Sequence, residues 1–272
     1  LTVIADALET FKGKFGKYIY ISTDSVYDVC EKTHDGFTVE TDTVRSKDIH
    51  GQQDGYGDNK LKCEEVLIQA GVPHLILRLP DVIGPRDNSY RWWTYQLWIK
   101  LSGYLVHTVS IPKRLFYKPL SFVYVKDVAN LILRSFSLKE EVFNEAYNLA
   151  FSEVKTLYQL LSLIKHALDK DFMNVMLDER YDYFYLYPSV TTGPINIEKA
   201  YKRLDWQPTQ FETAVKETVM FYEEVISNIT FAKEAEKIIE KVKFFFTDNW
   251  SELYRGLEIE YGIQFHQRKD EL

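Results

Sequence analysis

A tyrosine and a lysine four residues apart could together perform acid–base chemistry. Tyr56 and Lys60 lie in the segment YGDNKLKCEEVLIQA, whose apolar residues recur with a helical period and which ends at Gly71 and Pro73. Residues at i and i+4 project from one face of a helix, so the ammonium group of Lys60 would lie beside the phenol of Tyr56. A nearby positive charge favours the phenolate and makes a tyrosine usable as a general acid or base. Such pairs also occur by chance on many helices, so this one needs support from its surroundings.

A hydroxyl group follows the strand that precedes this helix. The segment Lys17–Ser22 has the aromatic and β-branched residues of a short buried strand, and Thr23 comes directly after it. At the carboxyl end of a parallel strand, Thr23 would face the crevice in which α/β enzymes bind ligands, and could donate a hydrogen bond to a reacting oxygen. A turn held by the side chains of Thr23, Asp24 and Ser25 explains the same residues equally well.

The elements that must position these residues alternate between strand and helix. A second buried strand, His74–Leu79, follows the helix Tyr56–Ala70. This order predicts parallel pairing through a right-handed crossover, and hence an α/β fold with a doubly wound, Rossmann-like parallel sheet. The other predicted elements are helix 91–105, strand 122–125, helix 127–138 with Asp127 as its cap, strand 146–150, and helices 156–170, 195–204 and 211–227.

Composition excludes several classes of protein. Of the 272 residues, 46% are hydrophobic and 27% are charged, which is typical of a globular chain and not of a disordered, collagen-like or coiled-coil one. A net charge of −7 argues against a nucleic-acid-binding surface. The two cysteines and six histidines lack metal-ligand spacing, so no metal site is predicted. No apolar stretch is long enough to span a bilayer, so no membrane span is predicted.

Six segments stand in a characteristic order along the chain. They are YIYISTDSVY, YGDNKLKCEE, LILRLPDVIGPRD, FVYVKDVANLIL, AYNLA and AYKRLDWQPT, within Lys17–Ile226. Together they resemble the extended short-chain dehydrogenase/reductase family, the nucleotide-sugar epimerases and dehydratases. The resemblance implies a Rossmann-like fold, NAD or NADP as the cofactor, and hydride transfer to or from a sugar-like, nucleotide-linked substrate. Epimerase, reductase, dehydratase and decarboxylase activities share this core and stay open.

The resemblance also implies roles for individual residues. Tyr56 would be the catalytic acid and base, Lys60 would activate it and hold the nicotinamide ribose, and Thr23 would orient the reacting oxygen. The residues implied to line the cofactor are Ser22, Tyr56, Lys60, Pro80 and Ile83, and those implied to contact the substrate are Thr23, Asp24, Asp81 and Arg86.

Three positions depart from the family pattern. Ser25 stands where 4,6-dehydratases carry the glutamate base for water elimination, which argues against a dehydratase. Asp81 replaces an asparagine beside the substrate diphosphate, and a carboxylate there would repel phosphate. Leu120 replaces an arginine that binds the diphosphate, although the basic segment Lys113–Lys118 could compensate. We therefore expect a substrate that differs from an ordinary nucleotide diphosphate sugar.

The glycine-rich fingerprint that binds the cofactor pyrophosphate is missing from the sequence. Gly13 and Gly16 lie too late and follow no strand. Because the first fifteen residues have the pattern of an amphipathic helix, we expect a chain that begins inside the domain and lacks about 100 N-terminal residues, the size of the missing part of a mononucleotide-binding half. With an incomplete site, the 272 residues alone are expected to bind NAD(P) weakly.

Three regions follow from these elements and the resemblance. Residues 1–150 form the C-terminal part of the NAD(P)-binding domain with interleaved substrate segments, and residues 151–228 form a smaller, mixed and helical substrate-binding region. Residues 229–272 form a charged helical extension and a polar tail. The extension contains FAKEAEKIIEKVKFFF, an amphipathic helix whose apolar stripe would dock on the domain or, alternatively, on a partner or a membrane surface.

Motifs in the extension indicate a location. Lys269–Leu272 is the tetrapeptide KDEL, which a receptor recognises to return proteins to the endoplasmic reticulum. Asn228–Thr230 and Asn249–Ser251 match the N-glycosylation pattern. We therefore expect a glycoprotein of the endoplasmic reticulum lumen with the KDEL receptor as a partner. Cys30 and Cys63 could pair there, although the sequence does not fix their distance. A homodimer also stays open.

A second hypothesis is a family member that has lost catalysis and acts as a binding or scaffold protein in the same compartment. Asp81, Leu120 and the charged extension suggest it. The presence of Tyr56 and Lys60 together with Thr23 argues against it, because a structural role would not require all three.

Overall fold

Four of the six residues of the segment HLILRL are apolar and they fall on both faces of a strand, as expected for a strand that is covered on both faces. The computed structural model describes residues 2–45, 55–106, 108–177, 186–190, 192–246 and 250–263. In it, this segment forms a strand whose residues are all buried. In chain order the helices and strands are α1 (Thr2–Thr10), β1 (Tyr18–Thr23), α2 (Gly55–Gln69), β2 (His74–Leu79), β3 (Asp81–Ile83), α3 (Arg91–Lys100), β4 (Ser110–Ile111), α4 (Lys113–Phe116), β5 (Phe122–Tyr124), α5 (Val125–Arg134), β6 (Glu145–Asn148), α6 (Leu157–Ala167), β7 (Met176–Leu177), α7 (Glu198–Leu204), α8 (Phe211–Val225), α9 (Ala232–Phe246) and α10 (Trp250–Tyr261).

The chain folds into two compact units, each built from three segments. The first unit comprises Leu1–Val82, Pro119–Val154 and Pro188–Gln210. The second comprises the remaining ranges, 83–118, 155–187 and 211–272. The functional division at residues 150 and 228 stays a prediction.

A parallel sheet lies at the centre of the first unit. Its strand order is β1-β2-β6, with β1 and β6 both parallel to β2. Leu75 and Leu77 of β2 pack with Val128 of α5 and with Leu204 of α7. Because side chains alternate along a strand, Arg78 faces the opposite side, where it binds α2. Helices therefore cover both faces of the sheet, and the predicted α/β class is confirmed.

The start of α5 corrects a sequence prediction. Asp127 was expected to cap this helix, but α5 begins at Val125 and Asp127 lies in its first turn. The Asp127 carboxylate instead accepts hydrogen bonds from the backbone nitrogen of Thr209 at 2.8 Å and from the Thr209 hydroxyl at 2.7 Å. The predicted cap is wrong because this carboxylate holds a segment 82 residues further along the chain.

Helices dominate the second unit. Trp92, Tyr95 and Trp98 are at most 2% exposed, so α3 is surrounded, and it packs against α6 and α9. Ile238 and Val242 of α9 are fully buried, which confirms that the apolar stripe of the extension docks on the protein. None of the helices within the described ranges is both long and apolar enough to cross a membrane.

Helix α10 was predicted as part of a polar tail, and that prediction is wrong. Leu253 and Leu257, one helical turn apart, are both fully buried. Between them, Gly256 lies so close to Tyr104 that a Cβ atom would meet the base of its ring at 2.7 Å. Two leucines and a glycine are enough to dock this helix, a pattern too short to detect among charged residues.

Candidate functional site

Tyr56 and Lys60 lie near the start of α2 and share one face of it. The Lys60 Nζ atom is 5.8 Å from the centroid of the Tyr56 ring and 5.0 Å from that of the Tyr20 ring. Tyr56 is 58% exposed, so its phenol is accessible to a ligand. The structure therefore brings together the accessible phenol and the ammonium group that the helical spacing predicts.

The half-buried side chain of Lys60 joins α2 to β1. Its ammonium group donates a hydrogen bond of 2.8 Å to the carbonyl oxygen of Ile21. Burial lowers the pKa of Lys60, while Cys63 and Glu64 oppose that shift. An ammonium group has three donor hydrogens, so the bond to Ile21 leaves donors for a ligand hydroxyl. Lys60 is thus held at the edge of the sheet and can still bind.

Thr23 ends β1 and begins a short 3-10 helix, Asp24–Val29. Its side-chain oxygen accepts a hydrogen bond of 3.1 Å from the backbone nitrogen of Ser25, and its hydroxyl donates to the Ser25 side chain, also at 3.1 Å. Thr23 is 8% exposed. The structure therefore contains the local turn that was the alternative explanation of this segment. It also places the hydroxyl at the carboxyl end of β1, where a catalytic role would need it.

Two buried carboxylates accompany this turn. Burial raises the pKa of Asp24 well above its usual range, and the charges of Asp81 and Asp28 add to the effect. The Asp81 carboxylate accepts hydrogen bonds from the backbone nitrogen of Ser189, at 2.9 Å, and from the Ser189 hydroxyl. Asp81, which was expected to face a substrate phosphate, therefore has a structural role in holding Ser189.

Asp24→Asn is expected to raise stability increasingly as the pH rises. With a folded-state pKa above the unfolded one, Asp24 contributes its full stability only below the unfolded pKa, and this is lost as pH rises toward and through the folded pKa. Asparagine is neutral at every pH and removes that loss. Urea unfolding at pH 4.5 and at pH 7.5 measures the difference, with the exposed Asp35→Asn as control. If Asp24→Asn changed the free energy of unfolding equally at the two pH values, the raised pKa of Asp24 would be contradicted.

A buried ion pair connects the same elements. The Glu64 carboxylate on α2 accepts hydrogen bonds from the Ser22 hydroxyl at 2.5 Å and from Nε and Nη2 of Arg78 at 3.2 and 2.6 Å. Glu64 is 1% exposed and Arg78 is 4% exposed. Ser22, which was predicted to line the cofactor, therefore donates a hydrogen bond to Glu64. The carboxylate ties β1, α2 and β2 together.

The network continues from Arg78 into the loop after β1. Arg78 donates to the Tyr27 phenol oxygen at 3.0 Å and to the carbonyl of Glu40 at 2.9 Å. Tyr27 in turn donates to the side-chain oxygen of Asn148 on β6 at 2.6 Å. All these groups belong to the first unit. Tyr27 and Glu40, in the segment that follows β1, are thus fixed to the sheet by hydrogen bonds.

Sequence reasoning missed this network, although two signals point to it. Arg78 is the one charged residue in the buried strand His74–Leu79, and a buried charge needs a partner. Glu64 follows Lys60 by four residues and so lies on the same face of α2. Together, these signals would have suggested a pair between helix and strand.

The remaining predicted site residues are divided between the two units. Pro80 is buried in the first unit. Ile83 and Arg86 belong to the second unit, where Ile83 is fully buried. Arg86 is exposed, has a φ of 66°, and its guanidinium lies 5.5 Å from the centroid of the Phe231 ring.

Neither cysteine is bonded to the other in the structure. Cys30 and Cys63 are both free thiols. Burial raises the pKa of Cys30 to about 11, and its thiol donates to the Val26 carbonyl at 3.1 Å. Within the described part of the chain, no cluster of three His, Cys, Asp or Glu side chains is arranged to hold a metal ion.

Comparison with known proteins places this geometry in a family. The model of the NAD dependent epimerase/dehydratase family matches residues 2–150, more than half of the chain. No curated protein matches the sequence. Among solved structures, the UDP-glucose 4-epimerase of Thermotoga maritima with UDP-glucose is similar, with a TM-score of 0.63 and 22% identity over 82% of this chain and 69% of that chain.

Two further solved structures share the fold. The UDP-glucuronic acid 4-epimerase of Bacillus cereus in complex with NAD has a TM-score of 0.64 and 20% identity, over 83% of this chain and 67% of that one. RMD from Pseudomonas aeruginosa complexed with NADPH has a TM-score of 0.63 and 17% identity, over 82% of this chain and 73% of that one. With the parallel sheet and the Tyr56–Lys60 pair, the family match leads to one conclusion: the chain belongs to the NAD-dependent epimerase/dehydratase family.

Proposed function

We propose that this chain carries the catalytic residues of an NAD(P)-dependent epimerase or reductase that acts on a sugar-type, nucleotide-linked substrate. The observation that carries the proposal is the exposed phenol of Tyr56 on the same helix face as the ammonium group of Lys60, which is anchored to β1. The family match supports the reaction class. The UDP-sugars and the NAD or NADPH named for the similar structures support the substrate and cofactor classes.

Two residues on α2, beside β1, fit the ribose side of a nicotinamide cofactor. Lys60 has ammonium hydrogens left after its bond to Ile21, and Tyr56 presents a hydroxyl on the same face. The sequence has no glycine-rich segment that follows a strand, so no residue is assigned to the pyrophosphate. The chemistry that NAD(P) supplies when bound is the acceptance and return of a hydride at a substrate carbon.

Side chains of this protein would transfer the proton of the substrate hydroxyl. Tyr56, as the phenolate, would take the proton from the substrate hydroxyl as the carbon is oxidised, and, as the phenol, would return it on reduction. Lys60, as a cation on the same face, would stabilise the phenolate form of Tyr56. Thr23 exchanges its hydrogen bond to Ser25 for one to the reacting oxygen, because a hydroxyl has a single proton to donate.

We also propose that the protein resides in the lumen of the endoplasmic reticulum. Support comes from the tetrapeptide Lys269–Leu272, which lies outside the described residues. A receptor that recognises KDEL would then be a partner.

A non-catalytic binding protein is the second candidate. Two side chains that were predicted to contact a ligand form hydrogen bonds within the protein instead, which favours this candidate. Thr23 donates to Ser25, and Asp81 accepts from Ser189. Such a protein would bind a nucleotide sugar without turning it over. The accessible Tyr56 phenol has no evident purpose in that role.

Ligand-dependent stabilisation of the full-length protein tests the proposal. NAD, NADP and a panel of nucleotide sugars are added in turn, and the melting temperature is measured. A ligand present at 100 times its Kd is expected to raise the free energy of unfolding of the protein by about 2.7 kcal/mol. Lys60→Ala should remove the cofactor effect. Lys62→Ala, which lies on the same helix and pairs with Asp58 at 2.6 Å, should retain it.

The outcomes separate the two candidates. A cofactor effect that requires Lys60 and is accompanied by a sugar effect supports the enzyme. Stabilisation by nucleotide sugars alone favours the binding protein, and no effect of any ligand contradicts both.

A further inference from the structure

The connection between α8 and α9 is an exposed turn that no part of the proposed reaction uses. It contains Asn228 and Thr230, and the residues from Ser227 to Thr230 are all exposed. Ile229, between the two, is 88% exposed. The sequence Asn-Ile-Thr in this turn is an acceptor pattern for N-linked glycans.

The asparagine side chain is held in a defined orientation. Its Oδ1 atom accepts a hydrogen bond of 2.9 Å from the backbone nitrogen of Thr230, which caps the single 3-10 turn Ile229–Phe231. Among the residues that the structure describes, none accepts a hydrogen bond from Nδ2 of Asn228. Nδ2, the atom to which a glycan is attached, therefore has no such bond, while Oδ1 of the same amide fixes the orientation of the side chain.

We propose that Nδ2 of Asn228 carries an N-linked glycan. The inference rests on the proposed lumenal location, because the donor, a lipid-diphosphate-linked oligosaccharide, is used there. A bond forms between Nδ2 and the anomeric carbon of the oligosaccharide. The bond from that carbon to the lipid diphosphate breaks, the diphosphate leaves with the electron pair, and the amide gives up one proton.

The folded structure accommodates this modification without rearrangement. An N-glycosylated amide keeps its carbonyl oxygen, so the hydrogen bond from Thr230 to Oδ1 survives. The ring of Phe231 packs against Phe221 with centroids 5.8 Å apart, which anchors the turn from below. A bulky, solubilising glycan beside Ile229 would also shield an isoleucine that the fold leaves in water.

The test uses the full-length protein expressed in cultured eukaryotic cells, with Asn249→Gln in the background to remove the second acceptor pattern. We expect one step in gel mobility that an endoglycosidase removes. Thr230→Ala should abolish the step, because the pattern needs a hydroxyl two residues after the asparagine, and Thr230→Ser should restore it. Both variants keep the backbone nitrogen that donates to Asn228, so the turn is preserved.

Protease treatment of intact microsomes distinguishes failure of the inference from failure of the proposed location. Protein that is protected but has no endoglycosidase-sensitive step overturns the glycan and leaves the location standing. Protein that is digested outside the microsomes overturns both. A step that persists in Thr230→Ala overturns the assignment to Asn228.

Discussion

Tyr56→Phe is expected to lower kcat by about 10²–10⁴-fold, the usual contribution of a positioned general acid or base. The substitution removes only the phenol oxygen and retains the ring beside the ammonium group of Lys60, so stability should change little and Lys60 can still hold the cofactor. Because Tyr56 is 58% exposed, the loss of its hydroxyl should not open a cavity in the core. Turnover is measured with the nucleotide sugar and cofactor that stabilise the full-length protein.

Tyr20→Phe is the matched control. The Tyr20 ring lies 5.0 Å from Lys60 Nζ, slightly closer than that of Tyr56. Burial raises the pKa of Tyr20, and a hydrogen bond with Cys63 raises it further, which makes its phenol unsuited to proton transfer at neutral pH. Tyr20→Phe should therefore keep a rate close to that of the unmodified protein. Equal losses in the two variants would show that proximity to Lys60, and not proton transfer, matters.

What could be predicted from the sequence was local. The Tyr56–Lys60 pair depends on the pitch of one helix, and helical pitch does not depend on the rest of the fold. The strand His74–Leu79 could be predicted with its correct bounds, because its apolar residues and the flanking Pro73 and Pro80 are all in one short segment. Parallel pairing followed from the order of elements.

What could not be predicted depends on distant parts of the chain. Asp81 and Ser189 are 108 residues apart in sequence, and nothing near Asp81 indicates that its carboxylate holds a backbone nitrogen. The type of residue indicates that its charge would repel phosphate, but it does not indicate that the carboxylate binds Ser189. The same limit applies to Asp127. Its position suggested a helix cap, but its carboxylate accepts a hydrogen bond from the backbone nitrogen of Thr209. A polar side chain predicts that a partner exists, and only the fold shows which one.

Glu64→Ala is expected to lower the free energy of unfolding by about 3–5 kcal/mol, the cost of removing one partner from a buried ion pair. The side chains of Glu64 and Arg78 are 1% and 5% exposed. Alanine would leave the guanidinium without its carboxylate in the protein interior, and would also deprive the Ser22 hydroxyl of its acceptor. Urea unfolding with an unchanged m-value measures the loss.

Glu65→Ala provides the control on the same helix. Glu65 pairs with Arg45 at 2.9 Å, but the two side chains are 43% and 31% exposed, so solvent screens the pair. Losing this pair should lower the free energy of unfolding by about 0–1 kcal/mol. Similar losses for Glu64→Ala and Glu65→Ala would show that the buried network adds nothing special to stability.

A double variant separates the cost of an orphaned charge from the value of the pair itself. Replacing both partners, Glu64→Leu with Arg78→Met, removes the buried charges together, and well-packed apolar replacements of buried ion pairs are often neutral or stabilising. We expect the double variant to recover much of the stability that Glu64→Ala loses. It should not recover turnover to the same extent, because the carboxylate also fixes α2, which carries Tyr56, against β1, which carries Thr23. A double variant with full stability and full kcat would show that packing alone positions the two elements.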